Sequence, residues 1–212
     1  MKKLINVITT SITCIGIGCL AHGQVHIKGQ KGLEIQAGIV DHIDPTRKSP
    51  IDGSFNSYFI SLGINKYLST KATLKYSFTF DKRFARIDSL SNDTLNYTYF
   101  SNRYIIEALY QHFLIKNTRG NLYFNLGAGP LIGYEQFTSS MAEGDTTWQK
   151  AKSRLEDKST FLLGLSASAE IEWFFSHHSA LMLQYRHRWL VNSEADKFHY
   201  YLGAGVKLLI NK

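Results

Sequence analysis

Apolar and polar residues alternate with a period of two along most of this chain, and convincing helical periodicity is absent. The clearest case sets Ala72, Leu74, Tyr76, Phe78 and Phe80 against Thr73, Lys75, Ser77, Thr79 and Asp81. The stretch from Phe198 to Ile210 is longer. It places Phe198, Tyr200, Leu202, Ala204, Val206, Leu208 and Ile210 on one parity and His199, Gly203, Gly205 and Lys207 on the other. Successive side chains of a strand point to opposite faces, so each stretch predicts a strand with one oily and one polar, partly small face. The pattern recurs at 31–40 (Leu33, Ile35, Ala37, Ile39), 57–67 (Tyr58, Ile60, Leu62, Ile64) and 103–111 (Tyr104, Ile106, Ala108, Tyr110). It recurs again at 122–129 (Leu122, Phe124, Leu126, Ala128), 163–173 (Leu163, Leu165, Ala167, Ala169, Ile171, Trp173) and 181–189 (Leu181, Leu183, Tyr185, Trp189).

The links between these segments alternate in length. Short ones fall around 68–70, 116–120 and 176–179, and longer polar ones at 41–56, 84–98 and 134–159. Short turns at one rim and long loops at the other are the habit of outer-membrane barrels, in which the turns lie in the periplasm. The link 192–197 is the exception, being short for an outer loop. The expected fold is therefore all-β: a single up-and-down antiparallel barrel of about eight strands, of outer-membrane type.

A soluble lipocalin-like barrel would alternate too, with its apolar parity inside. Three details favour a membrane. The polar parity mixes small residues (Gly38, Gly63, Ser77, Gly127, Ser166, Gly203) with long charged ones (Lys75, Arg103, Glu107, Arg186), which suits a narrow lumen packed with side chains. Aromatic residues gather near strand ends, and we assign Tyr67, Phe113, Tyr123, Trp173 and Phe174 to an interface girdle at the short-turn rim. Phe55, Phe84, Tyr134, Trp189 and Tyr200 form the opposite girdle in this reading. The Gly-x-Trp of a lipocalin's first strand is missing, since Gly32 is followed by Leu33 and Glu34.

The N-terminus bears on where the cell sends the chain. Lys2 and Lys3 precede a largely apolar run from Leu4 to Leu20 that ends in Ala21-His22-Gly23, the layout of a cleaved secretory signal. The expected organisation is a signal peptide at 1–23 and a barrel domain at 24–212. Both cysteines, Cys14 and Cys19, fall inside the signal, so the mature chain carries neither thiol nor disulfide. Gly18 precedes Cys19, but Gly16 stands where a lipoprotein signal needs leucine, which disfavours lipidation. No later run is long and apolar enough for a transmembrane helix.

Across 212 residues the formal charge is +7, and losing Lys2 and Lys3 lowers it by two. The cations are spread among acids rather than gathered in one stripe, so no direct nucleic-acid binding is expected. Abundant Tyr and Phe (12 and 13) with only 3 Pro suit strands better than disorder.

Several residues invite a catalytic reading. Glu170 and Glu172 lie on one strand face roughly 6.5 to 7 Å apart, a spacing of interest for paired carboxylates in glycoside hydrolysis. We favour partnership with Arg186 and Arg188 of the next strand inside the lumen, since buried charges need partners. His177 and His178 sit in a short turn without further ligands nearby, and Asp41-His42-Ile43-Asp44 reads as the start of a loop rather than a metal site. His178-Ser179, His187 and His199 invite comparison with lipid-modifying barrel hydrolases, but adjacent strand residues point oppositely, and His187 falls on the apolar parity beside Trp189. Gly127-Ala128-Gly129-Pro130 lacks the helix that a phosphate loop requires and reads as close-packed strand. The run Lys150, Lys152, Arg154, Glu156, Asp157 and Lys158 reads as a solvated outer loop, with contact to anionic lipopolysaccharide as the sharper alternative. No catalytic, cofactor-binding or metal-binding residue is expected.

In order, Gly32-Leu33-Glu34-Ile35-Gln36-Ala37-Gly38, Leu126-Gly127-Ala128-Gly129 leading to Gly133-Tyr134-Glu135, and Glu170-Ile171-Glu172 precede a final set of Lys197-Phe198-His199, Gly203-Ala204-Gly205-Val206-Lys207 and Ile210-Asn211. The series resembles the TraO proteins of Bacteroidetes conjugative transposons over essentially the whole mature chain. Val25-His26-Ile27 departs from the family, whose members carry a cysteine soon after cleavage. The resemblance implies a non-enzymatic envelope component of a conjugative DNA-transfer apparatus, in the outer membrane of a Gram-negative bacterium. Its expected partners are outer-membrane lipid, lipopolysaccharide and other conjugation proteins. The alternatives are a general small barrel of the OmpX or OmpA kind for envelope integrity or adhesion and, third, a lipid-modifying barrel hydrolase.

Overall fold

A strand with one apolar and one polar parity needs a different medium on each side, and closing a sheet on itself supplies an inside and an outside while removing both free edges. The computed structural model adopts that solution and describes residues 28–41, 57–87, 97–117, 121–141, 158–193 and 197–210. Eight strands follow one another: β1 (Lys31–Val40), β2 (Tyr58–Tyr67), β3 (Ala72–Ile87), β4 (Tyr97–Lys116), β5 (Leu122–Met141), β6 (Lys158–Phe174), β7 (Ser179–Leu190) and β8 (Phe198–Ile210). Each pairs antiparallel with its sequence neighbour, and β8 returns to β1 to close the barrel. The signal segment, His42, Ile43, Asp44, Phe55 and the charged run from Lys150 to Asp157 lie outside the described residues.

The polar parity faces inward, as expected of a barrel of outer-membrane type. Glu34, Gln36, Asn65, Thr73, Lys75, Glu107, Gln111, Glu170, Arg186 and Lys207 are buried. Leu33, Ile35, Leu62, Ile64, Phe78, Ile106, Leu183 and Leu202 are exposed on the outer wall. A soluble barrel has the reverse arrangement, so burial decides what alternation alone leaves open.

Four strands outrun the sequence expectation. The pairing of β2 with β3 stops at Tyr58 and Lys82, whereas β3 with β4 continues to Ile87 and Tyr97, and β4 with β5 to Tyr97 and Met141. On the far side, β5 pairs with β6 out to Lys158, while β6 with β7 ends at Gly164 and Leu190. Strands β3 to β6 therefore project beyond the rest of the wall. The expected loops 84–98 and 134–159 shrink accordingly, because 84–87, 97–98, 134–141 and 158–159 are strand. The physical reason is that an outer face clear of lipid need not be apolar, so exposed Gln136 and Thr138 erase the alternation without ending the strand. A register shift between Phe113 and Ile115 inserts Leu114 as a bulge at the opposite end of β4.

Two glycine positions show how narrow the lumen is. A Cβ on Gly38 would fall 2.1 Å from the Leu202 carbonyl oxygen and 2.8 Å from the Phe59 ring, and one on Gly203 would fall 2.5 Å from the same ring. Phe59 occupies the space that these cross-strand partners leave empty. At the entry to β1, Gly29 adopts φ 86°, a left-handed conformation in which glycine carries no Cβ penalty.

Candidate functional site

The lumen holds the chemically distinctive side chains, and strand register sorts them into layers. Deepest toward the short turns is an aromatic cluster. Tyr67 ends β2, Phe113 approaches the end of β4, Tyr123 is the second residue of β5 and Phe174 ends β6, so these rings converge at one rim. Tyr67 stacks on Phe113 with centroids 6.1 Å apart, Phe113 meets Tyr123 edge-on at 5.7 Å, and Tyr123 meets Phe174 edge-on at 5.6 Å. Ala180 and Leu209 complete the cluster. This corrects the girdle assignment for four of its five short-turn members: only Trp173 faces outward there, at 47% exposure. Parity explains the difference, since Tyr67 shares a face with Asn65, Phe113 with Gln111, Tyr123 with Asn125, and Phe174 with Glu172.

Above the rings lies a five-membered ionic cluster drawn from four strands. Lys75 contacts Glu34 and lies 3.0 Å from Glu170. Lys207 reaches Glu170 at 3.1 Å, Glu172 at 2.6 Å and Glu34 at 3.8 Å. Amides satisfy further lone pairs: Asn65 donates to Glu34 at 2.8 Å, Gln184 to Glu170 at 2.8 Å and Asn125 to Glu172 at 2.7 Å. Arg186 and Arg188 are not the partners of Glu170 and Glu172. Register sets Glu170 beside Gln184 and puts Arg186 and Arg188 opposite Ser168 and Ser166, farther from the short turns.

Those two arginines converge instead on Glu107 of β4, across the lumen. Arg186 contacts one carboxylate oxygen, and Arg188 lies 3.2 Å from the other. Ser77 donates to Glu107 at 2.9 Å, and Arg188 also donates to Thr79 at 2.9 Å while lying 4.3 Å from the centroid of the Tyr201 ring. Toward the long-loop rim, Arg83 lies 3.3 Å from Asp81 and 3.2 Å from Asp41, contacts His199, and donates to the Tyr201 hydroxyl at 3.1 Å. Arg103 pairs with Glu135, and Ser193 of the β7–β8 link bridges the two, accepting from Arg103 at 3.0 Å and donating to Glu135 at 3.2 Å.

This arrangement is a packed interior, with each carboxylate held against a cation. Glu170 and Glu172 share Lys207, so their spacing reflects ion pairing across the barrel. His178 lies in an exposed turn, where its backbone N–H donates to the Ser176 hydroxyl at 3.2 Å, and Ser179 begins β7. His187 faces the outer wall, packed against Tyr200 at 4.5 Å and Phe198 at 5.7 Å between ring centroids. His199 turns inward instead, to Arg83 and, at 3.6 Å, Asp41. Among the described residues no cluster of His, Cys, Asp or Glu is arranged to hold a metal ion. Gly127 to Pro130 lie within β5, as expected.

A closed eight-stranded antiparallel barrel with a charged, filled lumen and an apolar outer wall defines the small outer-membrane barrel class. Solved structures of small outer-membrane proteins share the fold. The outer membrane protein OprG from Pseudomonas aeruginosa superposes with a TM-score of 0.54 at 12% identity, covering 89% of this chain and 99% of its own. Neisserial surface protein A (NspA) gives a TM-score of 0.51 at 13% identity, covering 84% and 96%. No curated protein matches the sequence. The family model "Conjugative transposon protein TraO" matches residues 27–210, and the chain belongs to that family.

Proposed function

We propose that this protein is a non-enzymatic outer-membrane component of a conjugative transfer apparatus, acting as a scaffold or anchor through its rims and loops. Membership of the TraO family over residues 27–210 carries the reading. The filled lumen supports the choice of scaffold over conduit, because an interior occupied by Arg186, Arg188, Lys207, Tyr67 and Phe174 leaves no passage for a DNA strand. In the proposed placement, the segment 1–23 is removed on export, the short turns lie in the periplasm and the projecting ends of β3 to β6 face outward. Partners are other proteins of the apparatus, with lipopolysaccharide around the outer loops.

Deleting the gene from a conjugative element and restoring it in trans tests the proposal. Transfer frequency should fall by orders of magnitude and recover on complementation, while detergent and antibiotic sensitivity stay constant. Unchanged transfer with a leaky envelope or lost adhesion would favour a general small barrel instead. Lipid hydrolysis by the purified protein that is lost on His178→Ala or Ser179→Ala would favour the hydrolase.

A further inference from the structure

Every described aspartate and glutamate is buried in the lumen except Asp41, which is half-buried at the long-loop rim. The short-turn rim, by contrast, exposes Lys28, Lys31, Lys66, Lys71 and Lys116. Two of these stand in an arrangement that strands ordinarily avoid. Lys31 of β1 and Lys66 of β2 are direct cross-strand partners on the outer parity, and neither makes an ion pair among the described residues. Opposed side chains of this kind start about 5 Å apart at Cβ, and like charges there are destabilising. An anion between them would remove the repulsion.

The wall beside this pair is hollowed. One residue row away run Leu208, Leu33, Ile64 and Tyr76, and the following row contains Val206, Ile35, Leu62, Phe78 and Ile106. Between these rows lies an apolar groove of about 620 Å³ whose floor reaches Gly63, a volume within the range of small-molecule sites. Adjacent strand rows on one face are separated by roughly 6.5 to 7 Å, well within reach of a lysine side chain lying along apolar surface.

We propose that Lys31, Lys66 and the adjoining groove form a binding site for one anionic phospholipid of the periplasmic leaflet, with its phosphate between the two ammonium groups and an acyl chain in the groove. The inference rests on the proposed membrane placement. Charge complementarity selects this occupant over a partner's apolar helix, which would leave the lysine pair unneutralised. It also selects it over a zwitterionic lipid, whose own cation would face two more. Membrane attachment through the site would tie the periplasmic rim to the lipid surface and leave the outer strands free for protein contacts.

The test is native mass spectrometry of the mature protein released from nanodiscs of equal phosphatidylcholine and phosphatidylglycerol. Wild type should retain one phosphatidylglycerol in preference to phosphatidylcholine, on the order of tenfold or more from two lysines acting together. Lys31→Gln with Lys66→Gln should abolish the preference, and Ile64→Trp should lower retention of both lipids by filling the groove. Heat-dependent gel mobility of each variant reports separately on the barrel, so a folding failure is not mistaken for lost binding. Equal retention of the two lipids by wild type, or an undiminished preference in the double variant, would overturn the site. Displacement of the lipid by inorganic phosphate alone would also overturn it, since it would assign the lysines to a free anion.

Discussion

At the short-turn end the lumen is closed by Tyr67, Phe113, Tyr123 and Phe174, whereas halfway along it Glu107 is paired with both Arg186 and Arg188. Both regions lie on the inward parity and fill the same narrow cylinder, but they fail differently. An aromatic cluster loses stability in proportion to the area and volume removed. An ionic layer loses most when one partner is deleted and little when all are replaced together, because the penalty comes from leaving a buried charge uncompensated.

The largest effect should therefore come from Glu107→Ala, which leaves two buried guanidinium groups without their carboxylate and should cost about 3–5 kcal/mol. The loss is read from the urea midpoint of the refolded barrel in vesicles. Adding Arg186→Met and Arg188→Met to a Glu107→Leu background should recover most of it. If the triple variant is no more stable than Glu107→Ala, the ionic half of the comparison breaks. Phe113→Ala comes next, at about 3 kcal/mol from lost burial and the cavity left beside Tyr67 and Tyr123. That loss should respond little to salt or to neighbouring charge changes, and a strong dependence on Glu107 would merge the two regions into one network.

A third substitution sets inside against outside. Leu62→Arg places a charge on the exposed apolar wall, opposite Ile35 and Phe78, and should cost about 2–3 kcal/mol in a bilayer. In short-chain detergent micelles the penalty should shrink, and an equal loss in both media would argue against a lipid-facing wall. The smallest effect belongs to Asn192, whose side chain accepts from the Leu163 amide at 2.9 Å and donates to the Phe161 carbonyl where β6 runs on past β7. Asn192→Ala should cost about 1 kcal/mol and be visible mainly as faster hydrogen exchange at Leu163.

Much of this was legible in the alternation, and β1 and β8 were bounded to the residue. The inward faces of the strands also followed from parity, down to Lys75, Glu107 and Lys207. Parity carried more information than the girdle reading used. Continuing the face of Asn65 two residues on puts Tyr67 inside, whereas position at a strand end by itself suggests an interface. The projecting halves of β4 and β5 were not legible, because beyond a lipid band both faces of a strand are free to be polar. Nor were the partners of Glu170. Adjacent strands suggested Arg186 and Arg188, but in a narrow cylinder long side chains reach across the lumen, and Lys75 from β3 and Lys207 from β8 arrive from strands far apart in sequence. Neither alternation nor spacing encodes that convergence.

The central claim is that the apolar parity faces lipid in an outer membrane with the short turns in the periplasm. Because both cysteines fall at 14 and 19, within the segment read as the signal, a single engineered cysteine in the mature chain reports its own position. Labelling of intact cells with a membrane-impermeant maleimide should modify Lys197→Cys, reach Lys71→Cys only after the outer membrane is permeabilised, and leave Leu62→Cys unmodified in both cases. Labelling of Leu62→Cys by the water-soluble reagent, or of Lys71→Cys in intact cells, would contradict the account.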